Sequence, residues 1–331
     1  MERKNILITG GAGYIGSQTA KVIFEEGYYP IILDNLITGD MSLIKWGKFV
    51  KGDIKNDKLI KKLINEYSIK VVVHLAAYAY VGESVKNPRK YFDNNIISSI
   101  SFINCLIDNG INNIIFSSSC NTYGVPLNSP IEETHPLNPI NPYGISKYIV
   151  EQVLEWYGKC YGLNWLAFRY FNAAGADLSG DIGEKHNPET HLIPLAIDCA
   201  INNQSLLEVY GFDYPTPDGT AIRDYTHVFD IANAHVLGIN YLSTNNTNMA
   251  LNLGTGKGHS VYEVIKTVEK VTNKTIRIKR SPRREGDSAV LIADPSMANQ
   301  VLGWKPKYKH LYDIVQSAWT WHKKVRMVNA R

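Results

Sequence analysis

A chain of 331 residues exceeds the usual length of one compact domain, so one large or two closely joined domains are expected. Apolar residues make up 44% and charged residues 20%, a globular composition that excludes disordered and fibrous classes. The net charge of +4 arises from 35 basic and 31 acidic residues with no long basic block, so no nucleic acid partner is expected. In chain order, Ile6 to Thr9 reads as a strand running into a glycine run, and Ser17 to Glu26 as a helix. Strands follow at Pro30 to Asp34, Val71 to Ala76, Asn113 to Ser118 and Trp165 to Phe171. Between them Asp57 to Tyr67, Tyr91 to Asp108 and Ser146 to Tyr161 read as helices, with Asp57 and Ser146 as caps. This alternation predicts an α/β fold, a doubly wound parallel sheet of Rossmann type, with ligands beyond the carboxyl ends of the strands.

After Asn172 the rhythm breaks into loops at Gly175 to Thr190 and Gly211 to Asp224, and a smaller, less regular α/β region is expected to begin there. Tyr225 to Leu242 reads as a helix with a strand entry and Ala250 to Gly254 as a short strand, so the chain returns to its first domain before leaving it again. Ser243 to Asn248 is a polar linker, and nothing after Lys323 predicts order.

Four separated cysteines, Cys105, Cys120, Cys160 and Cys199, have no paired metal-ligand spacing; reduced thiols, no metal and a cytoplasmic location are expected. No signal peptide is expected, because the first apolar run is only Ile6-Leu-Ile, and no stretch approaches the roughly 20 apolar residues of a membrane span.

Chemistry concentrates at a few positions. Gly10, Gly13 and Gly16 follow a predicted strand and open a predicted helix, the context in which a glycine run cradles a dinucleotide pyrophosphate. Asp34 closes the second strand where an acidic residue accepts hydrogen bonds from an adenosine ribose and repels a 2′-phosphate, which favours NAD over NADP. Asp53 and Ile54 either flank the adenine or form a turn. Tyr143 and Lys147 stand one helical turn apart, so an ammonium can sit near a phenol and favour its ionised form. Taken alone, that pair is a spacing that chance also produces.

With the Gly10 run, Asp34, the Ser117-Ser-Ser119 strand end and the Tyr143/Lys147 pair in order, the chain resembles the extended short-chain dehydrogenase/reductase superfamily. Within it, the chain is similar to the UDP-glucose 4-epimerases and related sugar-nucleotide epimerases. Val81-Gly-Glu-Ser84, Tyr170 to Gly175, His191 to Pro194, Asp218 to Tyr225 and Arg283 to Asp287 carry the likeness over nearly the whole chain. The resemblance implies an NAD-dependent isomerase that interconverts UDP-glucose and UDP-galactose through a transient 4-keto sugar. Tyr143 is implied as the base, Ser119 as its companion at the reacting hydroxyl, and Lys147 as holder of the nicotinamide ribose. Gly10, Gly13, Tyr14, Ile15, Gly16, Asp34, Asn35, Asp53, Ile54 and Asn95 are implied to line NAD. Asn172, Leu192, Arg223, Tyr225, Arg284 and Asp287 match positions that hold the nucleotide-sugar. Residues 1–173 with a returning segment near 225–254 are expected to form the NAD-binding domain, and 174–224 with 255–331 the nucleotide-sugar domain. A homodimer through Tyr91 to Asp108 and Ser146 to Tyr161 is implied as well.

Departures sharpen the substrate question. Ala79 stands where some epimerases carry a lysine near the cofactor phosphates. Leu291 falls where the family gates the sugar pocket by side-chain bulk, and a leucine leaves room for UDP-GlcNAc and UDP-GalNAc. A dehydratase needs an Asp-Glu pair after the serine, and Cys120-Asn121 offers no acid. A UDP-xylose/UDP-arabinose 4-epimerase stays open as an alternative. A noncatalytic NAD-responsive binding protein is the remote one, since fold alone does not prove activity.

Overall fold

The computed structural model describes residues 3–202, 205–284 and 287–329. Its strands in chain order are β1 (Asn5–Thr9), β2 (Tyr29–Asp34), β3 (Lys48–Lys51), β4 (Val71–His74), β5 (Asn113–Ser119), β6 (Asn164–Tyr170), β7 (Asn172–Ala174), β8 (Leu207–Tyr210), β9 (Ile222–His227), β10 (Asn248–Leu253), β11 (Gly258–Ser260), β12 (Ile278–Ser281) and β13 (Val290–Leu291). Seven of them form one sheet in the order β10-β6-β5-β4-β1-β2-β3. Every neighbouring pair in that sheet is parallel.

Strand parity explains the two cores. Ile6 and Ile8 of β1, Ile32 of β2, Val71 and Val73 of β4 and Leu166 and Phe168 of β6 face one layer, which the helices Tyr14–Glu25 and Val228–Leu242 cover. Leu7, Ile31, Leu33, Val72, Trp165 and Ala167 face the other, against Phe102 and Leu106 of Ser99–Asp108 and Val150 and Leu154 of Pro142–Tyr161. Side chains alternate across a strand, so near-continuous apolar runs mark strands buried on both faces. The order reverses between β1 and β4, and a ligand crevice opens beyond the carboxyl ends of these strands.

The predicted strands fall where expected, and the returning segment joins the large sheet through β10 beside β6. Four local readings change. Asn56, not Asp57, caps Asp57–Glu66 by accepting from the Leu59 amide at 3.1 Å. Asn141, not Ser146, caps Pro142–Tyr161 by accepting from the Gly144 amide at 2.8 Å. Both asparagines sit one residue outside the helix, where an extended or bridging backbone aims the carboxamide at the free amides. Phe92–Ser98 is a π-helical stretch inside the predicted helix, a widened turn of the kind found at functional sites. The last helix, Leu311–Asn329, passes well beyond Lys323, because Trp321 and Val325 pack against Leu43, Trp46 and Ile182.

The second region has its own core. Ile193 and Ile197 meet Val209, Val264, Val268, Ile314 and Val315 there. Its strands β7, β9, β11 and β13 form a small sheet, and β8 pairs with β12. Ser260 caps the helix Val261–Thr272 in a reciprocal box with Glu263.

Candidate active site

The glycine run sits at the switch point of the sheet. Gly10 follows β1 with φ +71, and a Cβ there would lie 2.7 Å from the Ala76 amide nitrogen just past β4. A Cβ on Gly16 would lie 2.1 Å from the Gly10 carbonyl oxygen. Both positions therefore require glycine, the first for backbone angle and closeness, the second for helix contact. Gly13 stands as the N-cap of Tyr14–Glu25 with no side-chain cap, so the first amides of that helix face the crevice.

Asp34 ends β2 and is 8% exposed. It accepts from the Ala12 amide at 3.0 Å and the Leu36 amide at 2.8 Å, so its carboxylate braces the glycine loop. Burial raises its pKa, and these two amides pull against that rise. Asn35 donates to Asp53 at 2.8 Å beside it, and Ile54 is buried in the core below. Tyr14 gives its hydroxyl to the Gly175 carbonyl at 2.6 Å, linking the first helix to the second region, while Ile15 packs on the core. Asn95, on the π-helical stretch, exchanges hydrogen bonds with both backbone groups of Tyr78 at 2.9 Å and donates to Ser146 at 3.1 Å. It thus pins the segment after β4 to the Tyr143 helix. Ala79 on that segment is exposed and brings no charge.

Ser119, Tyr143 and Lys147 come together at the end of β5. Pro142 occupies the first helical turn, and Gly144 allows the helix to press onto the turn after β5, since a Cβ there would be 2.5 Å from the Asn121 carbonyl. Tyr143 is thereby set against Ser119, whose hydroxyl lowers the phenol's pKa against the rise from burial. Asn121 donates to the Ser119 hydroxyl at 3.1 Å from its side chain. Lys147 donates to the Ser117 carbonyl at 2.7 Å, with its ammonium 5.9 Å from the Tyr143 ring centre.

The electrostatics correct one expectation. Burial pushes the Tyr143 phenol up to about 12, with the Ser119 hydrogen bond opposing, and Lys147 does not bring it down. The lysine is itself buried, which lowers its pKa to about 7, while Glu151 pulls it upward. Two desolvated groups side by side each resist their charged form, and burial outweighs the attraction expected from spacing alone.

Sequence reasoning missed what lies behind this trio. Glu151, one turn beyond Lys147, forms a buried ion pair with Arg169 at 2.6 Å and also accepts from Ser118. Arg169 continues to the Tyr123 hydroxyl at 3.0 Å, and Tyr123 to Asn252 at 2.7 Å. The i, i+4, i+8 spacing of 143, 147 and 151 was the available signal; the partners come from β6 and β10.

On the facing wall, β7 and β9 place Asn172 opposite Tyr225, and β13 places Leu291 opposite Arg223. Leu291 packs with Cys120 and Phe171, immediately past Ser119. Cys120 is buried and its thiol is raised to about 12 by desolvation, consistent with packing alone. Arg223 is ion-paired with Asp287, and the Arg284 guanidinium stacks 4.1 Å from the Tyr210 ring centre. Leu192 begins the helix Leu192–Ile201 and is partly buried. Glu285 and Gly286 of the basic-acidic motif lie outside the described residues.

A glycine-lined crevice at the switch point of a doubly wound parallel sheet, with serine, tyrosine and lysine at its mouth, defines a Rossmann-type protein built for a dinucleotide. The chain belongs to the NAD dependent epimerase/dehydratase family, whose model matches residues 6–254. It is 47% identical over 324 residues to a UDP-glucose 4-epimerase of Rhizobium meliloti (strain 1021), covering 98% of each chain. A crystal structure of UDP-glucose 4-epimerase from Brucella ovis in complex with NAD superposes with a TM-score of 0.93 at 47% identity, covering 96% of this chain and 97% of that one. The Bifidobacterium longum enzyme, in complex with NAD+ and UDP, gives a TM-score of 0.92 at 37% identity, covering 97% and 98%.

Proposed function

We propose that this chain is an NAD-dependent UDP-glucose 4-epimerase, interconverting UDP-glucose and UDP-galactose. The observation that carries the reading is the convergence of Ser119, Tyr143 and Lys147 at the mouth of the glycine crevice, with Lys147 held on the Ser117 carbonyl one turn beyond Tyr143. Gly10, Gly13, Tyr14, Ile15, Gly16, Asp34, Asn35, Asp53, Ile54 and Asn95 would hold NAD, a fit supported by the tight turn that only glycine allows at 10 and 16 and by the helix that opens at Gly13 with no side-chain cap. When bound, NAD supplies a reversible hydride acceptor for C4 of the sugar and a positive ring near the phenol, the charge that the burial of Tyr143 calls for. Tyr143 would take the proton of the sugar 4-hydroxyl and return it, Ser119 would steady the oxygen between the two states, and Lys147 would hold the ribose. Asn172, Leu192, Arg223, Tyr225, Arg284 and Asp287 would keep the nucleotide end anchored while the 4-keto sugar turns over.

The domain division follows from this reading, with 1–173 and the segment near 225–254 serving the cofactor and 174–224 with 255–331 the nucleotide-sugar. A homodimer through Tyr91 to Asp108 and Ser146 to Tyr161 accords with the 62% exposure of Ile97 in the first segment and Trp156 in the second. Free Cys105, Cys120, Cys160 and Cys199 suit a cytoplasmic enzyme. No helix among the described residues is long and apolar enough to cross a membrane.

Heat release of NAD from purified protein, combined with a product assay on UDP-glucose, UDP-galactose, their N-acetylated forms and UDP-xylose, tests the reading. Tyr143→Phe is expected to keep its NAD and lose about 100-fold or more in turnover. Near-normal turnover in that variant, or exclusive action on UDP-xylose, would refute it.

A further inference from the structure

In the loop between Gly183 and the helix Leu192–Ile201, Glu184, His186, Glu189 and His191 bring one ligand atom each within 4.8 Å of one another. His186 Nδ1 lies 3.1 Å from a Glu184 oxygen and 3.8 Å from a Glu189 oxygen, and His191 Nδ1 touches Glu184 and lies 3.9 Å from Glu189. Ligands about 2.0–2.1 Å from a tetrahedral ion are about 3.3 Å from each other, a spacing the His186 separations approach, while His191 would swing away from its direct contact with Glu184 to admit an ion. His186 Nδ1 supplies a second observation. This atom is buried and makes no aligned hydrogen bond, although carboxylate oxygens of Glu184 and Glu189 lie 3.1 and 3.8 Å away.

The loop is held in shape from outside. Trp321 donates its indole to the Glu184 carbonyl at 2.9 Å, and the Asp177 amide donates to the Ile182 carbonyl at 3.1 Å. Lys185 pairs with Asp40 at 2.6 Å, on the segment after β2. Tyr14 and Tyr80 set their rings edge-on to His186 at 6.3 and 5.7 Å, one from the start of the first helix and one from the segment after β4. The cluster therefore sits where an excursion of the second region meets both walls of the crevice.

We propose that Glu184, His186, Glu189 and His191 bind one divalent transition-metal ion, zinc being the best match, which latches this excursion against the crevice. Two carboxylates and two neutral imidazoles balance a 2+ charge, and imidazole with carboxylate is a borderline-soft set that suits zinc over magnesium. Four protein ligands close the shell, so the ion braces the fold and does not act on substrate. The absence of paired cysteines has no bearing on a His/Glu shell. Imidazole binds a metal only in its neutral form, so the ion competes with protons there and affinity rises with pH.

Chelator-dialysed protein retaining its NAD is titrated with zinc chloride and, separately, magnesium chloride by calorimetry, with cobalt(II) absorption reporting geometry. One zinc per chain with a Kd below about 1 µM, no magnesium heat and an intense tetrahedral cobalt band are expected. The His186→Gln/Glu189→Gln variant and, separately, His191→Gln are expected to lose at least tenfold in zinc affinity. Cys160→Ser, which removes the exposed thiol, is expected to lose none. Absence of stoichiometric zinc in the unaltered protein, an octahedral cobalt spectrum, or equal zinc binding by the His/Glu variants would overturn the proposal. These readouts are independent of turnover, so they stand or fall apart from the epimerase reading.

Discussion

Replacing Glu151 by leucine removes the charge behind the trio. Arg169 is 5% exposed and donates two hydrogen bonds to that carboxylate, at 3.1 Å through Nε and 2.6 Å through an Nη, so Glu151→Leu strands a guanidinium in a dry interior. Breaking a buried pair from one side costs about 3–5 kcal/mol. An unfolding entropy of about 2.1 cal/mol/K per residue over 331 residues gives about 0.7 kcal/mol/K, and hence a fall in Tm of about 4–7 °C. Thermal unfolding followed by circular dichroism at constant NAD occupancy measures it. The companion variant Glu151→Leu/Arg169→Met fills the site with apolar groups and is expected to recover most of the loss, because the pair's own desolvation cost disappears with it. Glu151 also raises the pKa of Lys147. Both variants are therefore expected to lower it below about 7 and to lose turnover near neutral pH. A Tm change under about 1 °C, the scale of an exposed pair, or a double variant no more stable than the single one, would refute this account of the network.

Gly16→Ala is expected to yield folded protein without NAD, read by heat release, because a Cβ there would stand 2.1 Å from the Gly10 carbonyl; full cofactor retention would contradict the cradle. Leu291→Tyr fills space beside Cys120 and Phe171, and it is expected to cut activity on N-acetylhexosamine substrates by about 10-fold or more while sparing UDP-galactose. Equal losses on both would remove Leu291 as a gate. Acid lability follows from buried imidazoles: burial depresses His74 to about 3 and His227 and His235 to about 4, from an ordinary 6.5. With the folded values below the unfolded one, the unfolded chain binds the extra protons, so stability is complete above pH 6.5 and falls as pH drops toward 4. Three protons set a limiting slope of about 4 kcal/mol per pH unit, which the raised carboxyls Asp34, Asp224 and Asp230 moderate. Urea midpoints that stay flat between neutral and mildly acid pH would contradict it.

Much of the scaffold was legible in the chain itself. The parity of Ile6, Leu7 and Ile8, the spacing of Gly10, Gly13 and Gly16 and the i, i+4 pair Tyr143/Lys147 are local patterns, and local patterns specify strands, turns and helix faces. The caps went to Asn56 and Asn141 because capping depends on where the backbone leaves the helix, a matter of one residue. Only the tertiary structure could decide the protonation of the site and its bracing. Whether Lys147 lowers the Tyr143 pKa depends on how much water each has lost, and burial is a property of the packed whole. Glu151 meets Arg169, Tyr123 and Asn252 only once β5, β6 and β10 lie side by side, and Tyr14 and Tyr80 meet His186 only once the second region folds back across the crevice. Such partners are far apart in sequence, and no periodicity along the chain encodes their distance in space.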